Sequence, residues 1–301
     1  MFELWVPITV AAAVLQNVRS SLQKHLKGVL STAGATYVRF AFGVPFVAIY
    51  LLVLTRIIGY DLPDPGLRFA VFAAVGGIAQ VLGTTFLIAS FSYGNFVVGT
   101  AYSKTEIVQA AIFGILVLAD PLTASVFLAI VVSLVGVMLM AVANQEGGVR
   151  QLLGSILQKA ALLGIGCGAC YGIASVCYRA ASLSLASEFV ISAALTLGTV
   201  LVLQTVVMTL YLALHEPGQL SAVFRSWKTA GLVGLSGMAA SGCWLTAMTI
   251  QNAAVVRALG QIELFFAFLS STLFFRERVK PIELVGVILV VTGLVILLVK
   301  A

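Results

Sequence analysis

Two carboxylates, Glu106 and Glu263, lie near the middle of long apolar stretches of this 301-residue chain, and each has a base close by in sequence. Lys104 precedes Glu106 by two positions, and Arg257 precedes Glu263 by six. A carboxylate placed in hydrocarbon costs several kcal/mol. Acids at that depth are therefore rare and mark pathways for ions, protons or substrates. The chemistry open to such groups is pairing with charged ligands, and uptake and release of a proton.

The two acids also occupy equivalent places. Displacing residues 77–142 by 157 positions, without a gap, lays them on residues 234–299. Gly77 then meets Gly234, Asn95 meets Asn252, Val98 meets Val255, Ala101 meets Ala258, Ala110 meets Ala267 and Gly136 meets Gly293. Asp120 meets Glu277, and Glu106 meets Glu263. An internal repeat with an acid at its centre is the pattern of a membrane transporter.

The elements that must position these acids are membrane helices. The chain is 61% hydrophobic and 9% charged, against roughly 25% charged in soluble domains, which excludes a water-soluble globule. A spanning helix takes about 20 apolar residues, and ten such runs are predicted: 3–22, 34–57, 68–91, 95–118, 122–143, 156–178, 186–213, 228–250, 253–275 and 282–299. Segment 3–22 lacks a basic leader and a cleavage site, so it reads as the first span. The net charge of +6 comes from bases scattered among loops, without a nucleic-acid motif, so no nucleic-acid partner is expected.

The expected fold is an all-α membrane protein of ten transmembrane helices in two inverted five-helix repeats. The first repeat is 1–143, the linker 144–155 and the second repeat 156–301, the linker being the polar stretch that contains Gln145-Glu146-Gly147-Gly148. Five spans per half force opposite orientations, with a pseudo-twofold axis in the membrane plane.

Several short stretches resemble the drug/metabolite transporter superfamily, and within it the ten-helix EamA-type branch. They are Tyr37-Val38-Arg39-Phe40-Ala41, Ala119-Asp120-Pro121-Leu122-Thr123 followed by Gly136-Val137, and Arg276-Glu277-Arg278-Val279 followed by Gly286 and Gly293. The first half departs from the family pattern, with Asp120 in place of a glutamate and Ala129 in place of the first spaced glycine. The resemblance implies a central cavity lined by spans one to four and six to nine, with spans five and ten outside it. It also implies both termini inside. The basic residues of loops and ends number four on the N-terminal side and nine on the other, which by the positive-inside rule puts the termini outside. The two indications conflict.

At about 1.5 Å per residue, both acids lie about 15–17 Å into spans four and nine. Tyr102 and Gln109 share the Glu106 face at helical spacing, whereas Lys104 points to another side and needs a partner on a facing helix or in a bound anion. Arg257 and Gln261 share a face of span nine, with Glu263 on another beside Phe266 and Ala267. Apolar company favours the protonated carboxyl, which makes Glu263 the better proton carrier on local sequence. The structural alternative is that both acids are salt-bridged to Lys104, Arg39, Arg19 or Arg257 of neighbouring helices. Arg39 matches the family arginine, while Arg19 and Arg179 read as snorkelling to headgroups.

Further candidate substrate-facing positions are Gln80 on span three and Tyr171 on span six, where it forms a stripe with Ser175 and Tyr178, although such stripes more often join helices than touch ligand. Trp244 and Tyr102 have two readings, capping an organic ligand by stacking or filling space. Trp5 and Trp227 read as interfacial anchors. Cys167 and Cys170 form a C-x-x-C inside the Gly-rich run Gly164–Gly172, which reads as tight helix packing.

The expected function is secondary active transport, with export favoured, of small metabolites such as amino acids across the cytoplasmic membrane. Alternating access and a coupling proton on Glu263 or Glu106 complete that expectation. An uptake carrier for organic anions and a channel are the alternatives. Neither catalytic residues, a metal nor a cofactor is expected, since His25 and His215 fall in loops and no nucleotide-binding motif occurs. Both halves lie in one chain, so a monomer is the default.

Overall fold

The computed structural model describes residues 3–26, 28–91, 96–143, 150, 152, 154–273 and 280–300. The motif Arg276-Glu277-Arg278-Val279, Asn95 and most of the linker, including Gln145-Glu146-Gly147-Gly148, lie outside the described residues, as does the side chain of Ala267. All regular structure among the described residues is helical. In chain order the helices are α1 (Trp5–Leu26), α2 (Thr32–Ala41), α3 (Gly43–Leu52, extended by a π-helical turn Val53–Ile58), α4 (Leu67–Phe91), α5 (Phe96–Ser103), α6 (Glu106–Leu118) and α7 (Ala124–Val142). After them come α8 (Lys159–Ser184), α9 (Phe189–His215), α10 (Gln219–Arg225), α11 (Trp227–Ile250), α12 (Ala253–Leu259), α13 (Ile262–Leu273) and α14 (Pro281–Lys300).

Among the described residues, eight stretches are long and apolar enough to cross a membrane: Thr32–Ile58, Leu67–Ser90, Val98–Leu118, Ala124–Val142, Lys159–Ser184, Phe189–His215, Trp227–Ile250 and Pro281–Lys300. They coincide with eight of the ten predicted spans. The other two differ for identifiable reasons. α1 carries Gln16, Asn17, Arg19, Ser20, Ser21, Gln23 and Lys24 within its 22 residues. The ninth predicted span, 253–275, runs past the described residues, and its described part consists of helices of 7 and 12 residues.

The seven prolines respect these helices. Pro7, Pro45 and Pro281 stand in first turns, where the missing N–H costs nothing, and Pro63, Pro65, Pro121 and Pro217 fall in connections. The α6–α7 hairpin is closed at both ends by local chemistry. Ala119 adopts a left-handed backbone (φ 52°) after α6. Thr123 then caps α7, its Oγ1 accepting from the Val126 N–H at 3.3 Å.

The chain forms two compact units that differ from the two halves of the sequence. One comprises Met1–Gly77 and Cys177–Ile250, the other Ile78–Val176 and Gln251–Ala301. Each takes residues from both halves, and the chain passes between them inside α4, inside α8 and between α11 and α12.

In the first unit α1 packs on α11, and α9 packs on α2, α3 and α11. Gly234 admits the backbone of Phe42, the single residue between α2 and α3; a Cβ there would lie 2.5 Å from the Phe42 carbonyl carbon. Fully buried Gln204 donates from Nε2 to the Gly77 carbonyl at 3.3 Å and to the Tyr178 hydroxyl at 3.2 Å. Arg179, read from sequence as snorkelling, instead donates to the Met248 and Thr249 carbonyls at 2.6 and 3.2 Å. It thereby satisfies the end of α11. Trp5, read as an anchor, is 2% exposed and donates to Glu3 at 2.6 Å, whereas Trp227 is exposed.

The second unit is organised by close approach of small residues, as membrane helices favour. Along α8, Gly164, Gly168 and Gly172 form one stripe under α5 and α6. Added Cβ atoms would meet Gly99 O at 2.5 Å, Thr105 Oγ1 at 2.9 Å and Ala110 N at 3.0 Å in turn. Cys167 and Cys170 are free thiols on this helix. α7 and α14 cross in the same way, with Gly136 against Gly286 O (2.6 Å) and Gly293 against Ala129 O (2.8 Å). The 157-residue displacement carries Gly136 onto Gly293 and Ala129 onto Gly286, so it exchanges these two contacts.

Candidate functional site

The fourth and ninth predicted spans are not continuous helices. α5 stops at Ser103 and α6 starts at Glu106; α12 stops at Leu259 and α13 starts at Ile262. In repeat register the two breaks are one residue apart. Neither contains proline. In the first, the hydroxyls of Ser103 and Thr105 donate back to the carbonyls of Thr100 (2.7 Å) and Tyr102 (2.6 Å), which competes with the helical ladder. The main chain tightens accordingly, Lys104 and Thr105 donating to residues three back. In the second, Gly260 supplies the soft position, and Gln261, Glu263 and Leu264 bond three residues back.

Each break places an acid in the first turn of a half-helix, Glu106 in α6 and Glu263 in α13. The unpaired N–H groups of a helix start favour negative charge there. Each acid also meets a base from the other half of the sequence. Lys104 Nζ is 3.5 Å from Glu263 Oε1, and Arg257 Nε is 3.5 Å from Glu106 Oε1. The pairs are crossed and mostly buried, with side-chain exposures of 25% and 15% for the first and 18% and 13% for the second. Lys104 thus has its partner on a facing helix, as its position demanded. Glu263 keeps charged company, contrary to the apolar surroundings expected from Phe266.

The second pair is further supported. Arg257 Nε donates to Ser175 Oγ at 3.0 Å, and the fully buried Ser175 in turn donates to the Tyr171 carbonyl at 2.9 Å. The serine hydrogen is thereby directed away, so its lone pairs face the guanidinium. Sequence analysis had Ser175 in a polar stripe without identifying this partner.

The remaining predicted residues distribute as follows. Gln109 donates to Thr105 Oγ1 (2.9 Å) and the Ile165 carbonyl (3.3 Å), bracing the first break against α8. Buried Gln261 donates to the Arg257 carbonyl at 3.3 Å. Tyr102 does not share Glu106's surroundings: its hydroxyl donates to the Leu152 carbonyl at 2.8 Å, and its ring packs with Val98, Ala101, Val142, Ala160 and Ala161. Tyr171 bonds Thr84 (3.0 Å), which itself donates to the Gln80 carbonyl. Arg39 and Trp244 belong to the other unit. There Arg39 lies over the Phe40 ring, 4.6 Å from its centroid, and Trp244 Nε1 donates to Gln16 at 3.1 Å. The second unit therefore unites Lys104, Glu106, Gln109, Arg257, Gln261 and Glu263.

Comparison with known proteins adds three findings. Residues 158–299 match the model of the EamA-like transporter family. With eight apolar stretches of spanning length among the described residues, the protein is a multi-pass membrane protein. A solved structure titled "Crystal structure of protein" aligns at a TM-score of 0.67 over 98% of each chain with 14% identity, which is a likeness of fold. No curated protein matched the chain.

Proposed function

Taking the EamA-like transporter domain as the premise, we propose that this chain is a secondary active carrier. It moves a small metabolite of the amino-acid type outward across the cytoplasmic membrane by alternating access. The observation that carries this reading is the pair of crossed ion pairs, Lys104–Glu263 and Arg257–Glu106, at the breaks of two repeat-related helices. Discontinuous helices with charged groups at their half-helix ends are where inverted-repeat carriers hold substrate.

The wider architecture in this proposal is ten crossings in two inverted repeats. It draws support from the equivalent breaks and from the exchange of the Gly136–Gly286 and Gly293–Ala129 contacts under the repeat displacement. An organic-anion carrier draws little support from Lys104 and Arg257, since each is matched by a carboxylate.

Counterflow tests the reading. Purified protein in proteoliposomes preloaded with unlabelled amino acids is expected to accumulate labelled amino acid transiently against its gradient. Glu106→Gln and Glu263→Gln are expected to lose most of that accumulation. Flux without counterflow would instead indicate an open pore, and undiminished counterflow in both variants would remove the acids from the mechanism.

A further inference from the structure

The four charged groups at the two breaks sum to zero: two cations, two anions, each cation against an anion of the other half. At 13–25% side-chain exposure, removing one partner leaves a charge whose solvation the protein does not replace, at a cost of several kcal/mol. Resting on the carrier reading above, we propose that the site takes its substrate by ion-pair exchange and stays electrically neutral at every stage, so that the charge of the substrate sets how many protons travel with it.

The exchange follows from the chemistry of each group. Arg257 keeps its proton under all physiological conditions and is held by Ser175, so it is the fixed receptor for a carboxylate. A substrate carboxylate that pairs with Arg257 displaces Glu106, whose anion then needs a cation. A zwitterion brings one in its own ammonium group, and no proton moves. An anion without an amine brings none, so Glu106 takes one proton from water on entry and returns it on the opposite side at release. A cation without a carboxylate would have to compete for Glu106 while leaving Arg257 unmatched, and it is rejected. The groups within electrostatic reach of Glu106 are Arg257 of α12, Lys104 in the break and Cys167 of α8, with Glu263 of α13 behind Lys104.

The test uses full-length protein in proteoliposomes with a lumenal pH dye and a labelled mixture of neutral amino acids. Uptake is followed at inside-negative, zero and inside-positive potentials. The expected result is a rate that changes less than about twofold with potential, without lumenal pH change. Uptake that follows the potential, or that moves protons in step with amino acid, overturns the proposal, and so does absence of amino-acid uptake. The carrier reading fails separately, through flux without counterflow.

A second arm in detergent compares protection against heat by alanine, propionate and ethylamine, which share a skeleton and differ in charge. Wild type is expected to prefer alanine and ignore ethylamine. Glu106→Gln leaves Arg257 unmatched and is expected to shift preference toward propionate by about tenfold, the equivalent of about 1.4 kcal/mol. An unchanged ratio overturns ion-pair exchange. Should Glu106→Gln fail to fold, the neutral double variant Glu106→Gln with Arg257→Gln is expected to fold and to bind neither alanine nor propionate. Alanine binding by that double variant likewise overturns the proposal.

Discussion

The breaks at Glu106 and Glu263 agree to within one residue under the 157-residue displacement, yet they hold their charges differently. Arg257, which serves Glu106, stands in the half-helix before its own break, is braced by Ser175 and presents a planar, permanently charged group. Lys104, which serves Glu263, stands in the break itself on a flexible four-carbon stem and is a quarter exposed. One base is fixed in place and the other is free to move on its stem. A symmetric backbone has thus been given an asymmetric electrostatic lining, because Arg257 falls opposite Thr100 in the repeat and Lys104 opposite Gln261.

This contrast can be broken most severely at its rigid end. Arg257→Met strands the Glu106 carboxylate and should cost about 3–5 kcal/mol of stability in detergent unfolding. Counterflow should be abolished. A loss no greater than that of Lys104→Gln would erase the contrast. Ser175→Ala removes a hydrogen bond to a charged group, which should cost about 2 kcal/mol and raise the concentration for half-maximal transport more than it lowers the maximal rate. Equal effects on both would make Ser175 a packing residue.

Lys104→Gln should cost about 1 kcal/mol, between the limits for surface and buried pairs. It should slow counterflow while leaving protection by substrate against heat nearly intact. The mildest test concerns neither charge. Ala119 holds a left-handed backbone at φ 52°, and Ala119→Gly should raise stability by about 1 kcal/mol with transport unchanged at both breaks.

What could be read from the sequence, and what could not, divides along physical lines. Glu106 and Glu263 were legible because an acid within an apolar run is costly wherever it points. The Gly164–Gly172 stripe was legible because small residues at helical spacing have few other uses in a membrane. The breaks were not, since they contain no proline; they come from Ser103 and Thr105 turning their hydroxyls back on the ladder and from the softness of Gly260. Missing them misplaced Tyr102, because helical spacing from residue 102 to 106 fails across a break at 104–105. The choice among Lys104, Arg39, Arg19 and Arg257 as partners depends on which helices face each other, and one strand of sequence does not encode that locally. Arg179 and Trp5 were misjudged for the same reason: their partners at Met248, Thr249 and Glu3 are specific acceptors, whereas hydropathy sees only a base or an indole near a helix end.

The interleaving of the halves has a consequence for biogenesis. Residues 78–176 leave the ribosome well before Gln251–Ala301, which complete their unit. Until then Lys104 and Glu106 sit in the nascent helices without Glu263 and Arg257, the groups that later neutralise them. A chain halted before residue 257 leaves both side chains without the partners they meet in the complete fold.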